Sequence, residues 1–353
     1  MPNWTESMEQ TFEYYTVDPN TWGNIERLET VKSSSISFDL SSDTLGSASF
    51  EADDLFGEAY IRVYLVTIQN GVTERFCLGT YLVQTPSSSF NGMSTSVTMD
   101  AYTPLIELKE KKPPLGYYIP EDENIMERCC KLVDEYVRAP VIYTTSRDTM
   151  YKDFVANTDD TWLTFLTDAI TNAKFKFLLD EMGRVLFRPD QEASAMRPVW
   201  TFRDDNASII YPDIEIDHDI YGIPNVVEVV YSEDDKNFVS RVVNDDPNSQ
   251  TSTVNRGREI LERVSNPEFP GIPTQSLLNE YATQYLKEAS TLTYTITYSH
   301  GYCPVRVGDC VRLEFKCIGL SGINAVVQSQ DIDCTPGCKV EETATFELKY
   351  WEG

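Results

Sequence analysis

Apolar and polar residues alternate with a period of two along much of this chain. The clearest run is "TLTYTITYS", where Leu292, Tyr294, Ile296 and Tyr298 alternate with four threonines. That spacing predicts a strand with one buried face. "DIEIDHDIYG" alternates as strictly. It sets Asp213, Glu215, Asp217 and Asp219 on one side and Ile214, Ile216, His218 and Ile220 on the other. "AYIRVYLVTI" and "FCLGTYLVQT" read as two strands of a hairpin, with Asn70-Gly71 as the turn. "STSVTMDAY" follows a turn at Asn91-Gly92, and "NVVEVVYSEDD" predicts one more strand.

The period changes after about residue 105. "PEDENIMERCCKLVDEYV" places Ile125, Met126, Cys129, Leu132, Val133, Tyr136 and Val137 at helical spacing behind Pro120. "DTWLTFLTDAITNA" predicts a second helix with Asp160 as N-cap. "KFKFLLDEMGRVLFRP" predicts two strands around Glu181-Met182-Gly183. A third helix is expected at 275–289, with Leu278, Tyr281, Tyr285 and Leu286 on one face, and an acidic loop at about 232–255. The expected organisation is an arm at 1–24, a β-domain at 25–105, an α+β insert at 106–209 and a second β-domain at 210–353. A faint internal echo links the two β-domains. Near residue 80 and again near 324, an apolar pair and Gln precede a Gly turn and a Thr-rich strand.

Composition narrows the function classes. At 353 residues, two or three domains are expected. The 41% apolar content suffices for packed cores, and 20 Tyr with 16 Phe favour strands. A formal charge of −27 argues against gripping nucleic acid phosphates. Like charge would still let DNA slide past without adhering. The opening "MPNWTESMEQTFEYY" lacks the basic and apolar regions of a signal peptide, and no apolar run reaches membrane-spanning length. Synthesis in a cytoplasm without membrane insertion is the expectation. Eight cysteines are too sparse for a disulfide scaffold.

Candidate chemistry is thin. "SHGYCPVRVGDCVRLEFKC" gathers Cys303, Cys310 and Cys317 near His300. Strand periodicity in "CVRLEFKC" sends Cys310 and Cys317 to opposite faces, and the spacing lacks the close pairs of structural zinc sites. Cys334 and Cys338 flank a Thr-Pro-Gly turn. They are candidates for a disulfide, with two free thiols as the alternative. The acidic face Asp213, Glu215, Asp217 and Asp219 lacks the pattern of a calcium loop and reads as a solvated or channel-lining face. His218 falls on the isoleucine side and His300 in a turn. No hydrolase elbow, phosphate loop, dinucleotide fingerprint or zinc-protease motif occurs. The expectation is no enzyme, no cofactor and no metal.

Taken together, the segments resemble a known family. They are "SISFDLSSDTLGSASFEADD", "LGTYLVQTPSSSFNGMSTSVTMDAY", the insert, "NVVEVVYS", a helix, "TLTYTITYSHGYCPVRVGDCVRLEF" and "AVVQSQDIDCTPGCKVEETATFEL". This order is similar to that of bacteriophage tail hub (baseplate hub or tail-tip) proteins, relatives of the hubs of contractile injection systems. The resemblance covers most of 25–350 and rests on structural motifs. It implies a mainly β fold, with two similar antiparallel β-barrel domains of tail-tube type flanking a small α+β domain. It also implies a homotrimeric ring at the tube tip that adapts six-fold to three-fold symmetry. The ring would meet a tail tube or distal tail protein on one side and a central spike or fibre protein on the other. DNA would pass through it unbound, in a virion assembled in the host cytoplasm. No hydrolase or receptor-binding extension of the kind some relatives carry is expected after the second β-domain. Two other readings are a β-rich receptor- or carbohydrate-binding tail protein, and a hydrolase using His300.

Overall fold

A computed structural model describes residues 2–53, 57–90, 95–191, 193–205, 208–218, 222–233, 236–267, 274–349 and 351. The chain is mainly β. The expected Asn91-Gly92 turn and Asp219 lie outside the described residues, as does the side chain of His218.

The first strands are β1 (Glu9–Val17), β2 (Asn24–Arg27), β3 (Val31–Asp39), β4 (Gly46–Ala52), β5 (Tyr60–Gln69), β6 (Val72–Phe90) and β7 (Thr95–Tyr102). β5 and β6 form the expected hairpin. Asn70 and Gly71 both take positive φ, at 52° and 76°, as the tight primed turn requires. The segment expected as an arm is in part a strand. All nine residues of β1 pair antiparallel with β5, from Glu9↔Ile68 to Val17↔Tyr60. Phe12 and Tyr14 share one face of the strand, and Tyr14 is buried against Phe50.

Next come α1 (Ile106–Glu110), β8 (Tyr118–Ile119), α2 (Ile125–Tyr136), β9 (Phe154–Val155), α3 (Trp162–Asn172), β10 (Phe175–Leu179) and β11 (Val185–Pro189). α2 matches its predicted span. Its apolar stripe Ile125, Met126, Cys129, Leu132 and Val133 is buried. The N-cap of α3 is Thr161 and not Asp160. Thr161 Oγ1 accepts from Thr164 N at 3.2 Å while Thr161 N donates to Thr164 Oγ1 at 2.9 Å. Asp160 instead accepts from Asn157 N at 2.7 Å and closes the preceding turn. The apolar faces of α2 and α3 share one core with Val17, Tyr60 and Leu82 of the β-strands and Trp22 of the β1–β2 connection.

β12 (Trp200–Arg203) and β13 (Ile210–His218) follow. Then come β14 (Val226–Glu233), β15 (Lys236–Val243), α4 (Thr253–Arg256), β16 (Leu261–Ser265) and α5 (Gln275–Ala289). The stretch expected as an acidic loop therefore contains β15. It pairs with β14 from Val226↔Val243 to Glu233↔Lys236, because Phe238 and Val242 alternate toward the helix α5. The chain closes with β17 (Thr291–Gly301), β18 (Cys310–Glu314), β19 (Ile323–Asp333) and β20 (Lys339–Lys349).

The main sheet runs β13-β17-β20-β19-β3-β4-β7-β6-β5-β1-β2, with β18 and β12 branching from β19. β19 divides its length. Ile323–Val326 pair with β18, and Ser329–Asp333 pair with β3. N-terminal and C-terminal strands thus belong to one sheet. Compactness gives two units, Met1–Ile214 with Thr297–Ala344, and Glu215–Ile296 with Thr345–Gly353, so the division falls within β13, β17 and β20. The second unit holds the sheet β15-β14-β16, covered on one face by α5 through Leu278, Ala282 and Leu286.

Candidate functional site

The sequence-predicted site residues fall in three places. Asp213, Glu215 and Asp217 are exposed on β13, the strand at one end of the sheet order. Their alternation with half-buried Ile214 and Ile216 is the predicted two-faced pattern. Cys334 and Cys338 are both buried, and all eight cysteines are free thiols. Burial pushes the Cys334 thiol up to about 12, so it is neutral and unreactive at ordinary pH. Cys310 is buried while Cys317 is exposed. β18 ends at Glu314, and Cys317 sits in a short helical turn, so strand periodicity does not govern it. No cluster of three metal-ligating side chains occurs among the described residues.

His300 does not sit in a turn. β17 runs on to Gly301, and the imidazole is fully buried. Its Nε2 lies 3.3 Å from Glu342 Oε2, itself fully buried. Glu342 also accepts from Gln330 Nε2 at 2.7 Å and from the Tyr298 hydroxyl. Phe202 packs on the ring at 4.7 Å between centroids. A histidine so enclosed cannot meet a substrate. Tyr298 is 1% exposed and belongs to the core, so it offers no stacking platform.

Two further buried polar groups were not visible in the sequence. Arg62 is 1% exposed. It donates to Thr80 Oγ1 at 2.8 Å, Asn24 Oδ1 at 2.9 Å, Trp22 O at 3.2 Å and Met182 O at 3.3 Å. Met182 O also accepts from Trp22 Nε1 at 2.7 Å and Thr80 Oγ1 at 2.9 Å. The turn between β10 and β11 is thereby fastened to β2, β5 and β6. Gly183 makes the approach possible. A Cβ there would lie 2.8 Å from Thr80 Cβ, and its φ is +73°. Glu107 forms the second group, accepting from Tyr60 Oη at 2.6 Å and from Arg138 N at 2.8 Å. Both groups join the α+β segment to the strands, so the polar chemistry of this part of the chain holds elements together.

A small apolar cleft of about 50 Å³ lies beside these contacts. Phe38, Leu45, Leu78, Leu178, Val305 and Ile332 help line it. Arg306 and Glu181, also in its wall, pair at 2.5 Å.

No protein-family model matches the chain, and no curated protein matches it in sequence. Solved structures do. A tail protein from Neisseria meningitidis superposes with a TM-score of 0.61 at 15% identity, covering 95% of this chain and 96% of its own. The 43 kDa tail protein of prophage MuSo2 from Shewanella oneidensis gives 0.63 at 10% identity, covering 95% and 98%. The chain has the fold of phage tail proteins. The same fold extends to the E. coli c3393 protein, a type VI secretion component described as similar to the T4 tail proteins gp27 and gp5. That match has a TM-score of 0.50 at 10% identity and covers 92% of this chain and 76% of that one.

Proposed function

We propose that this chain is a structural tail hub protein of a bacteriophage. The observation that carries the reading is the end-to-end likeness to two tail proteins, over 95% of this chain and 96% and 98% of theirs. In this reading 25–105 and 210–353 act as two β-barrel domains of tail-tube type around the insert 106–209. Three copies close a ring at the tip of the tail tube, which removes open strand edges. The ring adapts the six-fold tube to a three-fold spike or fibre. It meets a tube or distal tail protein on one side and the central spike or fibre protein on the other. The protein is assembled in the host cytoplasm and carried in the virion.

The role is mechanical and electrostatic, with no turnover. Buried polar clamps hold the insert to the strands. The acidic surface, including Asp213, Glu215 and Asp217, repels DNA during passage. A binding assay with a short DNA duplex at low salt tests this part. The native chain should show no binding. The variant Asp213→Lys, Glu215→Lys, Asp217→Lys should gain retention that weakens steeply as salt rises. Tight binding by the native chain would contradict the passive-channel role.

A further inference from the structure

The buried His300–Glu342 pair has more hydrogen-bond acceptors than a neutral imidazole can serve. His300 Nδ1 lies 2.7 Å from the Gly301 carbonyl oxygen, which can only accept. Nε2 lies 3.3 Å from Glu342 Oε2. A neutral ring carries one N–H, so one nitrogen lone pair would face an oxygen lone pair in a fully buried site. We propose that the fold traps an extra proton here, holding His300 as an imidazolium paired with the Glu342 carboxylate.

Three observations favour the proton's residing on the ring. Glu342 accepts from Tyr298 Oη on one oxygen and from Gln330 Nε2 on the other, so donors already converge on the carboxylate as an anion. The other titratable groups facing the pair are Tyr298 and Cys303. Burial raises both well above their ordinary values, so each remains neutral. Phe202 from β12 and Gln330 from β19 bring no charge. Among the described residues no lysine or arginine touches Glu342, which leaves His300 as its counter-ion. An unpaired carboxylate at zero exposure would be strongly unfavourable. The pair therefore acts as an ionic clasp joining β17 to β20, with Gln330 tying in β19.

The test is NMR of the full chain with ¹⁵N-labelled histidine at neutral pH. Only two histidines are present, and His218→Asn assigns them. The expected spectrum shows both His300 ring nitrogens protonated, each bearing a slowly exchanging proton. A bare ring nitrogen at His300 would overturn the proposal. Glu342→Gln keeps the shape and removes the charge, and His300 should then drop to a single ring proton. Two ring protons in a folded Glu342→Gln chain would also overturn it. If that variant does not fold, the native spectrum alone decides.

Discussion

Arg62 shows how single residues set this architecture. Its guanidinium is buried and satisfied by oxygens of Thr80, Asn24, Trp22 and Met182. Arg62→Ala removes all four bonds and opens a cavity. It should lower the unfolding free energy by about 2–4 kcal/mol, read as a shift in urea midpoint. Arg62→Lys keeps the charge but not the planar fork, and should recover less than half of that loss. Gly183→Ala should cost about 1–3 kcal/mol, since φ is +73° and the added Cβ meets Thr80. Little of this was legible beforehand. A lone arginine in "AYIRVYLV" reads as the polar side of a strand, and nothing local announces that residue 182 will cover it. His300 misled for a related reason. Gly301 suggests a turn, but the strand continues through it.

Buried and half-buried acids set an alkaline limit at the same scale. Desolvation pushes Tyr14 up to about 12 from 10.0, and the Cys77, Cys129 and Cys334 thiols up to about 12 from 9.0. The unfolded chain therefore releases these protons first. Stability is intact below about pH 9 and should fall progressively between about pH 9 and 12. Thermal melts across that range check the direction. Rising stability with pH would contradict these burials.

At the scale of elements, period and length carried most of the information. α2, α5 and β17 were readable because each has one continuous apolar face of sufficient length. The start of α3 was ambiguous, since Asp160 and Thr161 are both good caps. The reciprocal bond from Thr164 decides for Thr161. Thr161→Ala should cost about 1 kcal/mol, and Asp160→Ala less, by thermal denaturation. β1 was harder to recognise because its role depends on β5, about fifty residues away, and local alternation does not reveal the partner. β15 was masked by the acidic residues around it, although Phe238 and Val242 alternate as a strand should.

At the scale of the whole molecule, the β-rich character and the likeness in fold to phage tail proteins were legible in the order of segments. The joining of N-terminal and C-terminal strands through β19 and β3 was not, because it links residues about 290 apart. Asp213, Glu215 and Asp217 are exposed on β13, and the proposed channel role of this face depends on an assembly of several copies. Neutralising it with Asp213→Asn, Glu215→Gln and Asp217→Asn should leave monomer stability within about 0.5 kcal/mol. The central claim concerns that assembly, and electron microscopy of particles carrying this protein tests it most directly. The account predicts a three-fold ring with six similar lobes around an open channel, at the tip of the tail tube. Particles whose tail tip carries no density for this chain, with the purified protein forming no ring alone or with tail partners, would contradict it.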